Sequence, residues 1–209
     1  MKKDLIIIGC GGLAREICFY TSMNSDVRIK GILADDEKKY KSSKLNFPYL
    51  GKIYDYKVKE NDYFIIAFGA HPSKFQIYDD FAKNGAKFYT FIHPQSIVFD
   101  TCEIGNGVII MPFCVIGDNV KISNNVFINK FVNIGHDTII SKSSIFSPYT
   151  MIGGGSHIGE NVFFSSGSII APNTKVGANC VVSANTFIKK GLQENSFVFN
   201  NVKNIIKVR

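Results

Sequence analysis

Two stretches of the chain carry residue types at spacings that chemistry can use. The first is His136 followed directly by Asp137. An imidazole near its own pKa is suited to take a proton at neutral pH. A carboxylate on its other ring nitrogen would fix the tautomer and stabilise the imidazolium. Gly153-Gly154-Gly155 follows, with Gly154 18 residues after His136. The plainer reading of the histidine is a turn residue on a solvated face. The second stretch is Gly9-Cys10-Gly11-Gly12-Leu13-Ala14, a G-x-G-x-x-A run after an apolar segment and before a helix-like one. Its glycines, Gly11 and Gly12 with Leu13 beside them, would let backbone approach a phosphate, and the helix start would offer free N–H groups. Asp35-Asp36 ends the next apolar segment, where a carboxylate can accept hydrogen bonds from a ribose or a base. The plainer reading of the glycines is close packing of strand on helix. Nicotinamide binding is disfavoured, because the second mononucleotide half is missing.

Other candidates lead elsewhere. His136 and His157 lie 21 residues apart with no third ligand evident, so no metal is expected. His93 precedes Pro94 at a boundary, and His71 stands at a helix start, where capping is the simplest role. Five cysteines without a C-x-x-C pair read as reduced structural thiols in a cytoplasmic protein. The net charge of +7 comes from scattered basic residues, without an Arg-rich helix or an aromatic-basic motif, so nucleic acid is not expected. A mild positive field suits small anions such as nucleotides and coenzyme A. No apolar run reaches 18 residues, so no membrane insertion is expected, and the short apolar start reads as a first strand rather than a signal peptide.

The elements that position these residues follow from a period of six. Stepping from Ile92 through Val98, Ile104 and Ile110 to Val182 and Ile188, every sixth residue is large and apolar. A second series runs from Ser96 through Cys102, Val108 and Cys114 to Thr186 and Leu192; all but the last are Ser, Thr, Cys or Val. Residues 92–193 thus hold 17 hexads without a register break. A helix cannot use a period of six, and ordinary strands are interrupted by turns of variable length. A triangular coil can: each hexad lays one short strand on a flat face and turns a corner rich in Gly, Asn and Asp. At three hexads per coil the prism is about 27 Å tall. Residues 1–90 read differently. Strands at Leu5–Ile8, Val27–Leu33 and Tyr63–Phe68, the last ending at Gly69, alternate with helices at Arg15–Met23 and 72–84, before a last segment at Lys87–Phe91. The expected fold is a small Rossmann-like domain over 1–90, then a parallel β-helix over 91–209.

Repeats of this kind resemble the left-handed parallel β-helix of the hexapeptide acyltransferases, and the left hand comes from that resemblance, since crossovers are otherwise right-handed. The whole arrangement resembles one group of these enzymes, the N-acetyltransferases of nucleotide-activated 4-amino sugars with the related sialic-acid O-acetyltransferases. The matching residues are Ile6 to Ile17, Asp35-Asp36, Phe64 to Gly69, Ile92-His93-Pro94 and Asn133 to Asp137. The resemblance implies a homotrimer in which the N-terminal domain holds a UDP-, dTDP- or GDP-linked amino sugar through Gly11, Gly12, Leu13, Asp35, Asp36 and Gly69. Acetyl-CoA would lie along the β-helix between subunits, with Gly154, Ala184, Lys189 and Lys190 as contacts. His136 would be the catalytic base and Asp137 its orienter, with a Gly154 N–H in reach of the oxyanion. The tail from Phe197 to Asn204 departs from the Gly-x-Pro-Ala-type loop that members use on CoA, and Ile145 stands where some carry a second histidine. O-acetylation of a sugar hydroxyl is the alternative reaction, and an inactive trimeric binding scaffold the alternative of another class.

Overall fold

A computed structural model describes residues 2–23, 25–69 and 73–200. His71 and the end of the tail, 201–204, lie outside the described residues. The N-terminal unit is a parallel sheet of β1 (Lys3–Ile8), β2 (Val27–Leu33), β3 (Tyr49–Gly51), β4 (Asp62–Ile66) and β5 (Lys87–Phe88), in the order β3-β2-β1-β4-β5. The central β1 is apolar on consecutive residues, Leu5 to Ile8, because both faces of a parallel sheet are covered. Helix α3 (Ser73–Lys83) covers one face through Ile77, Tyr78 and Phe81, packed with Ile6, Ile8 and Phe64. Helix α1 (Gly12–Ser22) covers the other through Ala14, Ile17 and Cys18. A short α2 (Glu37–Ser42) and β3 complete the unit; neither is apparent in the sequence pattern, since α2 is polar and buries no residue.

The second unit is a left-handed β-helix. Its described part holds 17 two-residue strands at six-residue steps, from Phe91–Ile92 to Phe187–Ile188, stacked into three parallel sheets. Partners are 18 residues apart, as in Ile116↔Ile134 and Ile134↔Ile152. The first face carries Phe91–Ile92 and every third strand after it, the second begins at Ile97–Val98, and the third at Glu103–Ile104. Both sequence series fill the interior, the large one (Ile116, Ile134, Phe146) and the small one (Cys114, Val132, Ser144) alike. Buried hydroxyls of the small series bond to corner carbonyls, as Thr138 does to Gly135 and Ser156 to Gly153, each at 2.7 Å. All five cysteines are free thiols, and burial pushes Cys18 up to about 12.

From Gly107 and Phe113 to Asn179 and Asn185, each corner turns on one residue with positive φ, and these also recur every six residues. Glycine and asparagine accept this conformation at least cost. Phe113, Phe131 and Tyr149 do not, yet they occupy it and stack on one another, with ring centroids 5.1 and 5.0 Å apart.

The first face is the one covered by the N-terminal unit. Its outward residues Ile109, Phe127 and Ile145 are buried with Ala14, Ile17 and Cys18 of α1. Lys130 pairs with Glu16 at 2.7 Å, and Tyr20 packs edge-on to His93. Helix α1 thus descends from the third coil to the first, with its N-terminus directed up the prism. On the far side of the face, the amine of Lys74 donates to the backbone and side-chain oxygens of Asn125.

Two expectations are corrected. The hexads do not run unbroken to Gln193. After Ile188 the coil shortens by two residues: Leu192 bridges Val176, and Val198 pairs with Val182, each 16 residues away. Shortening carries apolar Leu192 inward where the unbroken register would have brought Glu194. Gly191 permits the cut corner, since a Cβ there would lie 2.8 Å from the Lys175 carbonyl oxygen. The segment Lys87–Phe91 also divides. Lys87–Phe88 pairs with β4, whereas Phe91 opens the β-helix beside Ile109.

Candidate active site

His136 and Asp137 occupy the corner between Asn133–Ile134 on the second face and Ile139–Ile140 on the third. Asp137 has φ 56° and is the positive-φ residue of its hexad; its N–H donates to the Asp118 carbonyl one coil below. This directs its carboxylate sideways along the corner. Oδ2 lies 2.8 Å from His136 Nδ1, and Oδ1 accepts from the Asn119 amide at 2.7 Å. The Asn119 amide first, and then His136, hold Asp137 below the usual carboxylate range. A carboxylate can only accept, so Nδ1 carries the proton and Nε2 presents its lone pair. The imidazole side chain is 72% exposed and therefore open to a substrate.

Gly154 stands one coil above in the same column. A Cβ at this position would lie 2.9 Å from His136 Nε2, so the ring rests where only glycine leaves room. The Gly154 N–H donates to no carbonyl among the described residues, while the neighbouring Gly155 N–H is taken by the His136 carbonyl. Lys190 continues the column three coils above His136, about 14 Å along the prism, with Lys189 beside it, both exposed. Ala184 is exposed at a different corner, between the first and second faces, and is not brought together with them in one chain. A groove of about 990 Å³ runs along the third face from Ile139 past His157 and Lys175 to Asn195. Among the described residues no group of three or more His, Cys, Asp or Glu side chains is placed to hold a metal ion.

The Gly-rich loop forms a separate site. A cavity of about 360 Å³ at the C-terminal ends of β1, β2 and β4 is lined by Gly11, Gly12, Leu13, Asp35, Asp36 and Gly69 together. Gly11 is the N-cap of α1 and supplies no side-chain cap, so the first amides of that helix face the cavity without an internal acceptor. Both carboxylates also have structural duties. Asp35 Oδ1 accepts from Ile53 N–H, and Asp36 Oδ1 accepts from Lys39 N–H to cap α2, each at 2.9 Å. Lys39 and Ile53 line the cavity as well and escape sequence reasoning. Lys39 carries only the weak signal of standing three residues after a capping aspartate, and Ile53 carries none.

Within one chain the two sites face apart. The cavity stands over the first face, at the N-terminal end of α1, about one coil above Lys130. The corner that holds His136 joins the second and third faces and is the vertex opposite the first.

Comparison with known proteins agrees with this architecture. Residues 4–81 match the PglD N-terminal domain model, and residues 95–130 and 155–190 match the model for bacterial transferase hexapeptide (six repeats). No curated protein gives a significant match. Among solved structures, the acetyltransferase domain of PglB from Neisseria gonorrhoeae FA1090 is similar with a TM-score of 0.84 at 22% identity, over 96% of this chain and 98% of that one. PerB from Caulobacter crescentus, in complex with CoA and GDP-perosamine, gives 0.83 at 21%, over 93% and 92%. WeeI from Acinetobacter baumannii AYE gives 0.56 at 16%, over 97% and 99%. At these identities the likeness is one of fold. The chain thus joins a unit that matches the PglD N-terminal domain model, over residues 4–81, to a left-handed β-helix that matches bacterial transferase hexapeptide repeats over 95–130 and 155–190.

Proposed function

We propose that the chain is an acetyl-CoA-dependent N-acetyltransferase acting on the amino group of a nucleotide-linked 4-amino-dideoxy sugar. The observation that carries this reading is the His136 imidazole, held by Asp137 on Nδ1 and left with Nε2 exposed against Gly154. In the reaction the amine nitrogen attacks the acetyl carbonyl carbon and its proton passes to Nε2. The tetrahedral oxyanion takes a hydrogen bond from the Gly154 N–H. The C–S bond then breaks and the CoA sulfur leaves, taking up the proton from the imidazolium. CoA already activates the acyl group, so no acyl-enzyme is required. The thioester arm extends along the corner toward Lys189 and Lys190, whose cations suit the phosphates of the nucleotide end. The PerB structure, with CoA and GDP-perosamine bound to a similar fold, supports this pairing of ligands.

The nucleotide of the sugar occupies the Gly-rich cavity, with its phosphates at the start of α1. A sugar held there cannot meet His136 of its own chain, which lies across the prism. The active site therefore combines the cavity of one subunit with the His136 corner of another, in a homotrimer. The second face and its adjoining corner support such an assembly. They expose Ile97, Met151 and Phe187 (61, 50 and 57%) and the ladder Phe113, Phe131 and Tyr149, an apolar surface too continuous for an isolated monomer.

The test is thiol release from acetyl-CoA against UDP-, dTDP- and GDP-linked 4-amino sugars. Release with one of them, abolished in His136→Ala, is the expected result; no release with any amino sugar would contradict the reading.

A further inference from the structure

Asp137 is exposed and would be free to turn away from His136 if nothing held it. What faces its second oxygen is Asn119, one coil below in the same column, whose Nδ2 donates to Oδ1 at 2.7 Å. Asn119 is itself fixed. Its backbone has φ 55°, and its N–H donates to Thr101 Oγ1 at 2.9 Å. Thr101 Oγ1 in turn donates to Asp118 Oδ1 at 2.6 Å. A continuous run of hydrogen bonds thus climbs three coils, from Thr101 through Asn119 and Asp137 to the imidazole of His136. We propose that Asn119 is a positioning residue, holding the Asp137 carboxylate in the rotamer that orients His136. This rests on the acyl-transfer reading above.

A competing role is a coil-to-coil rung that serves stability alone. Such a rung exists at another corner, where Asn161 Nδ2 donates to Asn179 Oδ1 at 2.8 Å, far from His136 in the chain's other columns. The two roles separate by what they change. A rung between Asn119 and Asp137 contributes to stability and leaves kcat alone, whereas a positioning residue changes kcat, and only while the Asp137 carboxylate is there to be positioned.

Glycine is the informative replacement. It accepts positive φ, and Gly155 already occupies this column with φ 68°, so Asn119→Gly removes the amide without straining the corner. Asn161→Gly is the control, losing a rung at the same backbone conformation in a column that does not hold His136. The experiment measures kcat and KM of Asn119→Gly, Asp137→Ala and the double variant, with thermal unfolding of each and of the control. We expect Asn119→Gly to lower kcat by about tenfold with KM little changed, as for a lost hydrogen bond to an ionised group. We expect no further loss in the Asp137→Ala background, and unchanged kcat in Asn161→Gly whatever its loss in unfolding temperature. Equal losses in both backgrounds, or a kcat for Asn119→Gly equal to wild type, would overturn the positioning role while leaving the transferase reading in place. A wild-type chain with no transfer to any amino sugar would instead overturn the reading itself, and the positioning role with it.

Discussion

Gly154 leaves the space in which the His136 ring lies: a Cβ on Gly154 would come within 2.9 Å of Nε2 and 3.1 Å of Cδ2 and Cε1. The atoms met are the far end of a movable side chain, so Gly154→Ala displaces the ring rather than breaking the coil. We predict an unfolding temperature close to wild type and a kcat lower by about tenfold or more, since the base loses its near-attack position. Gly135→Ala is the contrast. Its Cβ would lie 2.5 Å from the backbone nitrogen of Gly154, which cannot move without opening the corner, and we predict loss of stability measured by thermal unfolding.

Asp137→Asn tests the charge apart from the shape. The carboxylate titrates below its ordinary value, held there by Asn119 and His136, so it is an anion throughout the working pH range. Because its folded pKa is depressed, its favourable interactions are present above the unfolded value and are lost only as pH falls through the folded one. The amide can offer His136 a hydrogen bond but no counter-charge to the imidazolium. We predict a fall in kcat of about 100-fold between pH 6 and 8 with only a small loss of stability there, since the carboxylate is exposed, read from initial rates and thermal unfolding.

The aromatic corner bears on assembly. Phe131 and Tyr149 adopt positive φ at a steric cost and still stand exposed, and stacking alone recovers only part of that cost. Phe131→Ser with Tyr149→Ser is expected to shift the molecular mass from three subunits to one in light scattering, with loss of activity. A trimer of unchanged stability would place the subunit contact elsewhere.

Lys74 gives a pH dependence of the same sign as Asp137, at the alkaline end of the range. Its amine is fully buried between α3 and the β-helix, facing the two oxygens of Asn125, and burial drives its pKa well below the usual lysine value. Between the folded and unfolded values the unfolded chain therefore binds a proton that the folded chain has released, and stability rises as pH climbs toward the unfolded lysine value. Thermal unfolding between pH 7 and 10 is predicted to show this rise in the wild type and to show less of it in Lys74→Met. Parallel curves for the two proteins would mean that the lysine stays charged.

How much of this was legible in the sequence depends on the range of the interaction. The prism was legible because every hexad repeats the same local demand, one large and one small residue inward and a permissive residue at the corner. Even the break in register left a mark: Leu192 is the one large residue in the small series, and it turns inward two residues early. The covered face was also written in the chain, at a period of 18 rather than six, as outward Ile109, Phe127, Ile145 and Phe163. The site was legible where neighbours in sequence are neighbours in space, as with His136 and Asp137, and where a repeat or a strand-end motif brings distant residues together, as with Gly154 and with Gly11, Asp35 and Gly69. Asn119 becomes visible once a coil is known to be 18 residues long. The Ile53 amide on Asp35 does not, because a loop of irregular path brings it there. The opposition of cavity and histidine also required the packing of α1 to be seen.

The central claim, that the cavity of one subunit serves His136 of another, is tested by mixing two inactive variants. His136→Ala removes the base, and Gly11→Phe fills the cavity from a position with no neighbouring atom within 4 Å of its Cβ. Each homotrimer should be inactive. Co-expressed at equal levels, random assortment leaves about a quarter of the sites with an intact cavity beside an intact His136, and about a quarter of wild-type thiol release is predicted. Mixed trimers as inactive as their parents would contradict the shared site and place both halves of the reaction within one chain.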